Sequence, residues 1–255
     1  MSMNKDKLMI DKVVKYLEEN NIEFENHELI RNINARKEGK QFTFEDNIKG
    51  LVYALLSNQT KWINIAPKLQ EIDKLFFYYD KNKILSTPAE YFYEGIFELK
   101  CGNIATKKQM MYLKYNINML DNIVSDFGSL DAFYEKYPAY TIAKMISSGK
   151  YKLKFIGYAL AWEFLRNVGI DGGKPDIHMR RILGKDRLGY AEASIATEIE
   201  AIKAFDDISK NTKYLKSYID IVLWSYCADG YGEVCTANPK CYKCVVREFC
   251  NYNLK

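Results

Sequence analysis

The sequence has no apolar run approaching the roughly 20 residues that a membrane-spanning helix needs, so a membrane role is not expected. The opening stretch, Met1 to Lys7, is polar and leads into an amphipathic segment. It lacks the apolar core of a secretory signal peptide. Glycine and proline are sparse, 14 and 5 in 255 residues, too few for a turn-rich β-sandwich. A strong charge imbalance is missing too. Lys+Arg number 37 and Asp+Glu 33, a surplus of 37 − 33 = 4, which permits a polyanionic partner without implying one. What is present is globular: 48% apolar and 27% charged residues exclude wholesale disorder. The length suits one large domain or two small ones. Of the six cysteines, four lie within the last 21 residues, at Cys235, Cys241, Cys244 and Cys250. Without a secretion signal, such a cluster reads as a metal site before it reads as disulfides.

Apolar spacing is helical nearly everywhere. Val13, Val14 and Leu17 share one face of a helix expected over about 5–19, followed by a polar connection to about 42. Thr43 has the look of an N-cap, with Asp46 as its capping-box partner. Beyond it, Ile48, Leu51, Val52, Leu55 and Leu56 recur as a buried helix stripe that stops near Ser57-Asn58-Gln59-Thr60. Further helices are expected over about 62–78, 88–94, 104–124, 129–135 and 139–148. No period-2 stretch demands a sheet, so the fold class is all-α with short connections.

Residues 150–166 read as a hairpin between two helices, with a turn closing at Gly157 and a helix beginning at Tyr158. A glycine at such a junction lets backbone approach a ligand closely, and the N–H groups that open the next helix can bind an anion. Lys150, Lys152 and Lys154 add positive charge. Held this way, a phosphate carries no sequence information. The plain alternative is a packing joint with solvated lysines. Downstream, Gly172-Gly173-Lys174-Pro175 form a loop, and Asp176 stands where a helix N-cap should stand, ahead of His178, Arg180 and Arg181.

In this order, the segments resemble the helix-hairpin-helix (HhH-GPD) DNA glycosylases of the endonuclease III type. That family's hairpin has the form Leu-Pro-Gly-(Val/Ile)-Gly, and Leu153-Lys154-Phe155-Ile156-Gly157 matches at Leu153, Ile156 and Gly157. Asp176-Ile177-His178-Met179-Arg180 matches its Asp-x-His-hydrophobic-x-Arg segment, and Leu55-Leu56-Ser57-Asn58-Gln59 its Leu-Leu-Ser-x-Gln segment. The resemblance spans about residues 43–250. It implies a two-lobed helical fold, one lobe over 43–160 and the other formed by 1–42 with 161–255.

The cysteine spacing, Cys-x5-Cys-x2-Cys-x5-Cys, fits either tetrahedral zinc or an iron–sulfur cluster, and spacing alone does not separate them. The resemblance implies a 4Fe–4S cluster, although the family's first gap is one residue longer. It also implies a partner, double-stranded DNA carrying a damaged or mismatched base, and a monomer acting in the cytoplasm on the nucleoid. Residues Gln59, Lys154, Ile156, Gly157, His178, Arg180, Lys240 and Lys243 are the DNA contacts it implies, with Gln59 filling the gap left by an extruded base. Asp176 is the catalytic carboxylate that stabilises positive charge developing on the sugar.

Two departures from the family pattern shape the expected chemistry. Bifunctional members carry a Schiff-base lysine just after the hairpin. Here Ala159, or Tyr158 in the gapless match from Asp176, stands in its place. Tyr158 at that position is similar to the mismatch thymine/uracil glycosylases. A monofunctional hydrolytic glycosylase is therefore expected, with Asp176 and Tyr158 as its catalytic residues. The alternatives are a bifunctional glycosylase/lyase or a DNA-binding relative without catalysis. Ala54 replaces the catalytic Glu of the adenine glycosylase branch, so adenine excision is not expected.

Overall fold

A computed structural model describes residues 4–22 and 28–254. Among the described residues the regular structure is entirely helical: α1 (Lys5–Glu19), α2 (Glu28–Lys37), α3 (Phe44–Leu56), α4 (Trp62–Ile65), α5 (Leu69–Leu75), α6 (Lys81–Ser86), α7 (Ala89–Glu98), α8 (Thr106–Met111), α9 (Leu113–Phe127), α10 (Leu130–Lys136), α11 (Ala139–Ser147), α12 (Tyr158–Asn167), α13 (Ile177–Leu183), α14 (Glu198–Thr212) and α15 (Lys216–Cys227). None of these helices is long and apolar enough to cross a membrane.

The ends of the helices follow local chemistry. Thr43 accepts the N–H of Asp46 while Asp46 accepts the N–H of Thr43, closing the expected capping box on α3. Thr197 and Glu200 build a second one on α14. Gly128, at φ 86°, ends α9. The expected helix over 62–78 is broken twice. Pro67 lies in a 3-10 turn, Ala66–Lys68, and Phe77, Tyr78 and Tyr79 all take positive φ. That second break turns Tyr79 inward, where its hydroxyl and that of Tyr53 both donate to Asp73 Oδ1, at 2.5 and 2.7 Å. The polar connection ahead of Thr43 also holds a helix, α2, which the apolar pattern does not predict.

Two compact units divide the chain: Asn32–Ile170, and Met1–Arg31 with Asp171–Lys255. Both boundaries lie some ten residues outside the expected 43–160 lobe. The packing of α12 gives the reason at one end. Gly50 of α3 approaches this helix so closely that a Cβ there would stand 2.9 Å from Val168 Cγ1. Asn167 Nδ2 donates to the Gly50 carbonyl at 2.9 Å. The whole helix after the hairpin thus belongs with α3. At the other end, the Arg36 guanidinium pairs with Asp131 at 2.8 Å and donates to the Val168 carbonyl. Residues 32–42 are held in the same unit by these contacts.

The second unit packs α1, α13, α14 and α15 around Met9, Ile10, Val13, Met179, Phe205 and Tyr226. Its loop Asp171–Asp176 is fixed rather than free. The Asp171 carboxylate accepts the N–H groups of Lys216 and Ser217, capping α15 from a distant segment. Ser217 Oγ both receives from the Gly172 N–H and donates to its carbonyl. Gly173 lies flat on Phe205, with 2.1 Å between the ring and the place a Cβ would occupy. Gly173→Ala should therefore destabilise the chain by about 1–3 kcal/mol through overpacking. Urea unfolding measures this, and an unchanged midpoint would show that the Phe205 contact yields at no cost.

Candidate functional site

In the Asn32–Ile170 unit, the hairpin is built on one buried amide. Asn116 of α9 donates from Nδ2 to the Lys154 carbonyl at 3.0 Å and accepts the Lys154 N–H on Oδ1 at 2.6 Å. Both backbone groups of the turn's second residue are thereby satisfied by one side chain. Phe155 follows at φ 62°, a left-handed conformation that costs a residue with a Cβ roughly 1–2 kcal/mol. The resembling family has glycine there. This chain keeps the turn and replaces the residue, holding the Phe155 ring 5.7 Å from that of Tyr112.

The next residues lead into α12. Ile156 is fully buried, so its contribution is packing and backbone. Lys152 Nζ donates to the Ile156 carbonyl at 2.6 Å. Burial first, and then the neighbouring Lys154 charge, hold the Lys152 ammonium below its usual pKa. Gly157 is exposed, with open space where a Cβ would stand. As the N-cap of α12, a ten-residue helix, it makes no side-chain cap. Helix starts of this kind can hold an anion by geometry and dipole.

The three hairpin lysines are not equivalent. Lys150 is spent on Asp126, 2.7 Å away, and the pair, joined by the Tyr151 hydroxyl, holds the Asp126 carboxyl below the usual range. Lys152 is turned inward. Lys154 is exposed and, among the described residues, has no acidic partner. Tyr158 opens α12 with its ring edge-on to Trp162.

Gln59 sits in the same unit at the tip of a pinned loop. It is exposed and left-handed, at φ 54°. The residues around it are held by Asn103, whose Nδ2 donates to the Asn58 carbonyl and, at 2.9 Å, to Thr60 Oγ1. Gln109 Nε2 fastens the end of α3 from below, at 3.1 Å from the Leu55 carbonyl. Next to Asn103 stands Ile104, 93% exposed. This isoleucine is held in water on the segment that pins the Gln59 loop. Hydrophobic periodicity does not find it, because the loop has none.

In the other unit, Asp176 caps α13. A single carboxylate oxygen, Oδ1, accepts the N–H groups of His178 at 2.9 Å and Met179 at 3.1 Å. Among the described residues Oδ2 has no hydrogen-bond partner. The side chain is half-buried. His178 lies edge-on to Trp224. Arg180 Nε donates to the Ala196 carbonyl at 2.7 Å, tying down the chain's own loop.

The four clustered cysteines line one small, partly open recess, together with Arg187, Val234 and Pro239. Arg187 is buried, and its Nη1 lies 3.8 Å from Cys235 Sγ as a donor. A hydrogen bond from Cys227 and the Arg187 charge draw the Cys235 thiol below its usual range, against its burial. The Val245 N–H donates to the buried Tyr226 hydroxyl, fixing the chain beside Cys244. Four cysteines around one recess, one beside a cationic donor, are chemically a thiolate ligand set. Among the described residues no three His, Cys, Asp or Glu side chains are arranged to hold a metal ion. Of the basic residues expected between these cysteines, Lys240 is paired with Glu233 at 2.9 Å, while Lys243 lies over the Tyr242 ring. Sequence order hides Glu233, which precedes the cluster.

No known protein family and no curated protein matches the sequence. Solved structures do match the fold. The 8-oxoguanine glycosylase/lyase of Methanocaldococcus jannaschii, in complex with a 15mer DNA containing 8-oxoguanine, is 21% identical with a TM-score of 0.57, over 86% of this chain and 96% of its own. The 8-oxoguanine DNA glycosylase of Thermotoga maritima is 17% identical with a TM-score of 0.59, over 88% and 98%. The chain thus has the helical fold seen in these glycosylases, in keeping with the helix-hairpin-helix resemblance in its sequence.

The clamp on the hairpin gives a direct test. Asn116→Ala leaves the N–H and C=O of Lys154 without their partner, at about 1–3 kcal/mol. It should loosen the turn and lower affinity for a phosphate-rich duplex. Amide exchange at Leu153–Gly157 should rise in parallel, and unchanged exchange would remove Asn116 from this role.

Proposed function

We propose that the protein is a DNA base-excision glycosylase that hydrolyses the N-glycosidic bond of a damaged base without an efficient lyase step. The observation that carries this reading is Asp176: a carboxylate on a rigid loop, with one oxygen committed to capping α13 and the other free, in a chain with a glycosylase fold. The hairpin at Gly157 grips a phosphate through backbone N–H groups, with Lys154 beside it. The lesion nucleotide is extruded at a cost of a few kcal/mol, and Gln59 and Ile104 occupy the gap in the stack. As the bond to the base lengthens, positive charge grows on the sugar, and Asp176 stabilises it. Water adds to the sugar carbon, its proton passes to Asp176, and the bonding electrons leave with the base. With Ala159 where bifunctional enzymes place lysine, the sugar is left as an intact abasic site. Tyr158, which opens α12, is the second candidate catalytic residue. Oxidised purines are the first lesions to test, because both similar structures are of 8-oxoguanine enzymes.

The reading extends to the cysteines: Cys235, Cys241, Cys244 and Cys250 hold a 4Fe–4S cluster, in the manner of the endonuclease III type. With the group bound there, these four cysteines would tie together a loop that otherwise has only short 3-10 turns, and the group would supply a redox-active centre. Anaerobically purified protein should be brown and contain iron and sulfide. A colourless protein with one zinc per chain would replace the cluster with a zinc site.

Asp176→Asn keeps the capping oxygen and removes the charge. Excision should fall by two to three orders of magnitude, about 3–4 kcal/mol, while duplex binding holds or improves. Product strands should break only after alkali, and borohydride should trap no protein–DNA adduct. Undiminished excision by Asp176→Asn would reduce this residue to a helix cap. Efficient trapping would restore a lysine nucleophile.

A further inference from the structure

The hairpin does not stand alone on its surface. The junction of α8 and α9 presents Tyr112, preceded by Lys108 and Met111 of α8 and followed by Tyr115 of α9, whose ring centroid lies 6.4 Å from that of Tyr112. All four are exposed, which for a methionine and two tyrosines in a row is unusual in a stable surface. The hairpin continues this surface: the Phe155 ring meets Tyr112, and Lys154 Nζ lies 5.5 Å over the Tyr115 ring. Among the described residues neither Lys108 nor Lys154 makes an ion pair. The strained Phe155 therefore places a ring on the platform rather than in the core.

We propose that this platform stacks unpaired bases of the DNA strand whose phosphate the hairpin grips, so that the preferred substrate carries unpaired nucleotides beside the lesion. The inference rests on the DNA reading above. Aromatic faces accept any base, and interleaved unpaired cations follow the backbone, which is the chemistry of single-strand binding. A duplex with every base stacked would offer those rings only its backbone. The same rings facing a protein partner would not call for lysines free of acidic neighbours.

The test uses the full chain and fluorescence anisotropy on three oligonucleotides, each carrying one uncleavable abasic analogue. One is fully paired, one has four unpaired nucleotides on one side of the analogue, and one has them on the other side. One unpaired probe should bind at least about tenfold tighter than the paired one. In the double variant Tyr112→Ala with Tyr115→Ala that preference should fall to about one, with paired binding unchanged. The variant Tyr112→Phe with Tyr115→Phe should keep it. Lys154→Ala should weaken all three probes and flatten their salt dependence. Equal binding of paired and unpaired probes, or a preference that survives loss of both rings, overturns the platform and leaves the DNA reading intact. Failure to bind any probe in a salt-dependent way overturns both.

Discussion

One side-chain amide determines what the hairpin can do. Asn116 is fully buried, and its two hydrogen bonds to Lys154 fix the peptide groups on either side of a turn that Phe155 enters at a sterically costly angle. A residue in that conformation persists only where its surroundings over-determine it. Leu153 and Ile156, both fully buried, anchor the turn at either end, and the amide fixes the part between. The exposure of Lys154 follows from that. Removing the strain by glycine would keep the turn while taking away the Phe155 ring. The chain accepts a cost to place an aromatic group at that point.

Asp176 shows a similar economy in the other unit. Its Oδ1 accepts two N–H groups from the first turn of α13, so the cap fixes the direction of the whole carboxylate. The arrangement requires the loop ahead of it to be rigid, and the bonds of Asp171 and Ser217 supply that rigidity. Gly173 then becomes necessary, because the loop presses against Phe205.

Features set by neighbours along the chain are legible in the residues themselves. The Thr43 box and the Asp176 cap depend on residues two or three positions apart, and both form as their spacing implies. Features set by distant partners are not legible in this way. The helix α2 has little apolar periodicity of its own and owes its place to Arg36 reaching Asp131 and Val168. The left-handed turn at Phe77–Tyr79 is drawn in by Asp73. Charge is misleading for the same reason. Lys150 and Lys240 look like free cations in sequence, but Asp126 and Glu233 neutralise them.

These pairings narrow the surface that can attract a polyanion. With a net charge of only +4, the protein cannot rely on a broad positive field, and association would depend on a few unpaired cations at defined places. Lys154 is such a cation, and it sits between backbone donors for a phosphate and a tyrosine ring. A weak overall field with one well-placed cation favours recognition by shape over non-specific adhesion to any duplex. Within this unit the left-handed Phe155 carries a conformational cost, and the surroundings that hold it are the same ones that leave Lys154 exposed beside it.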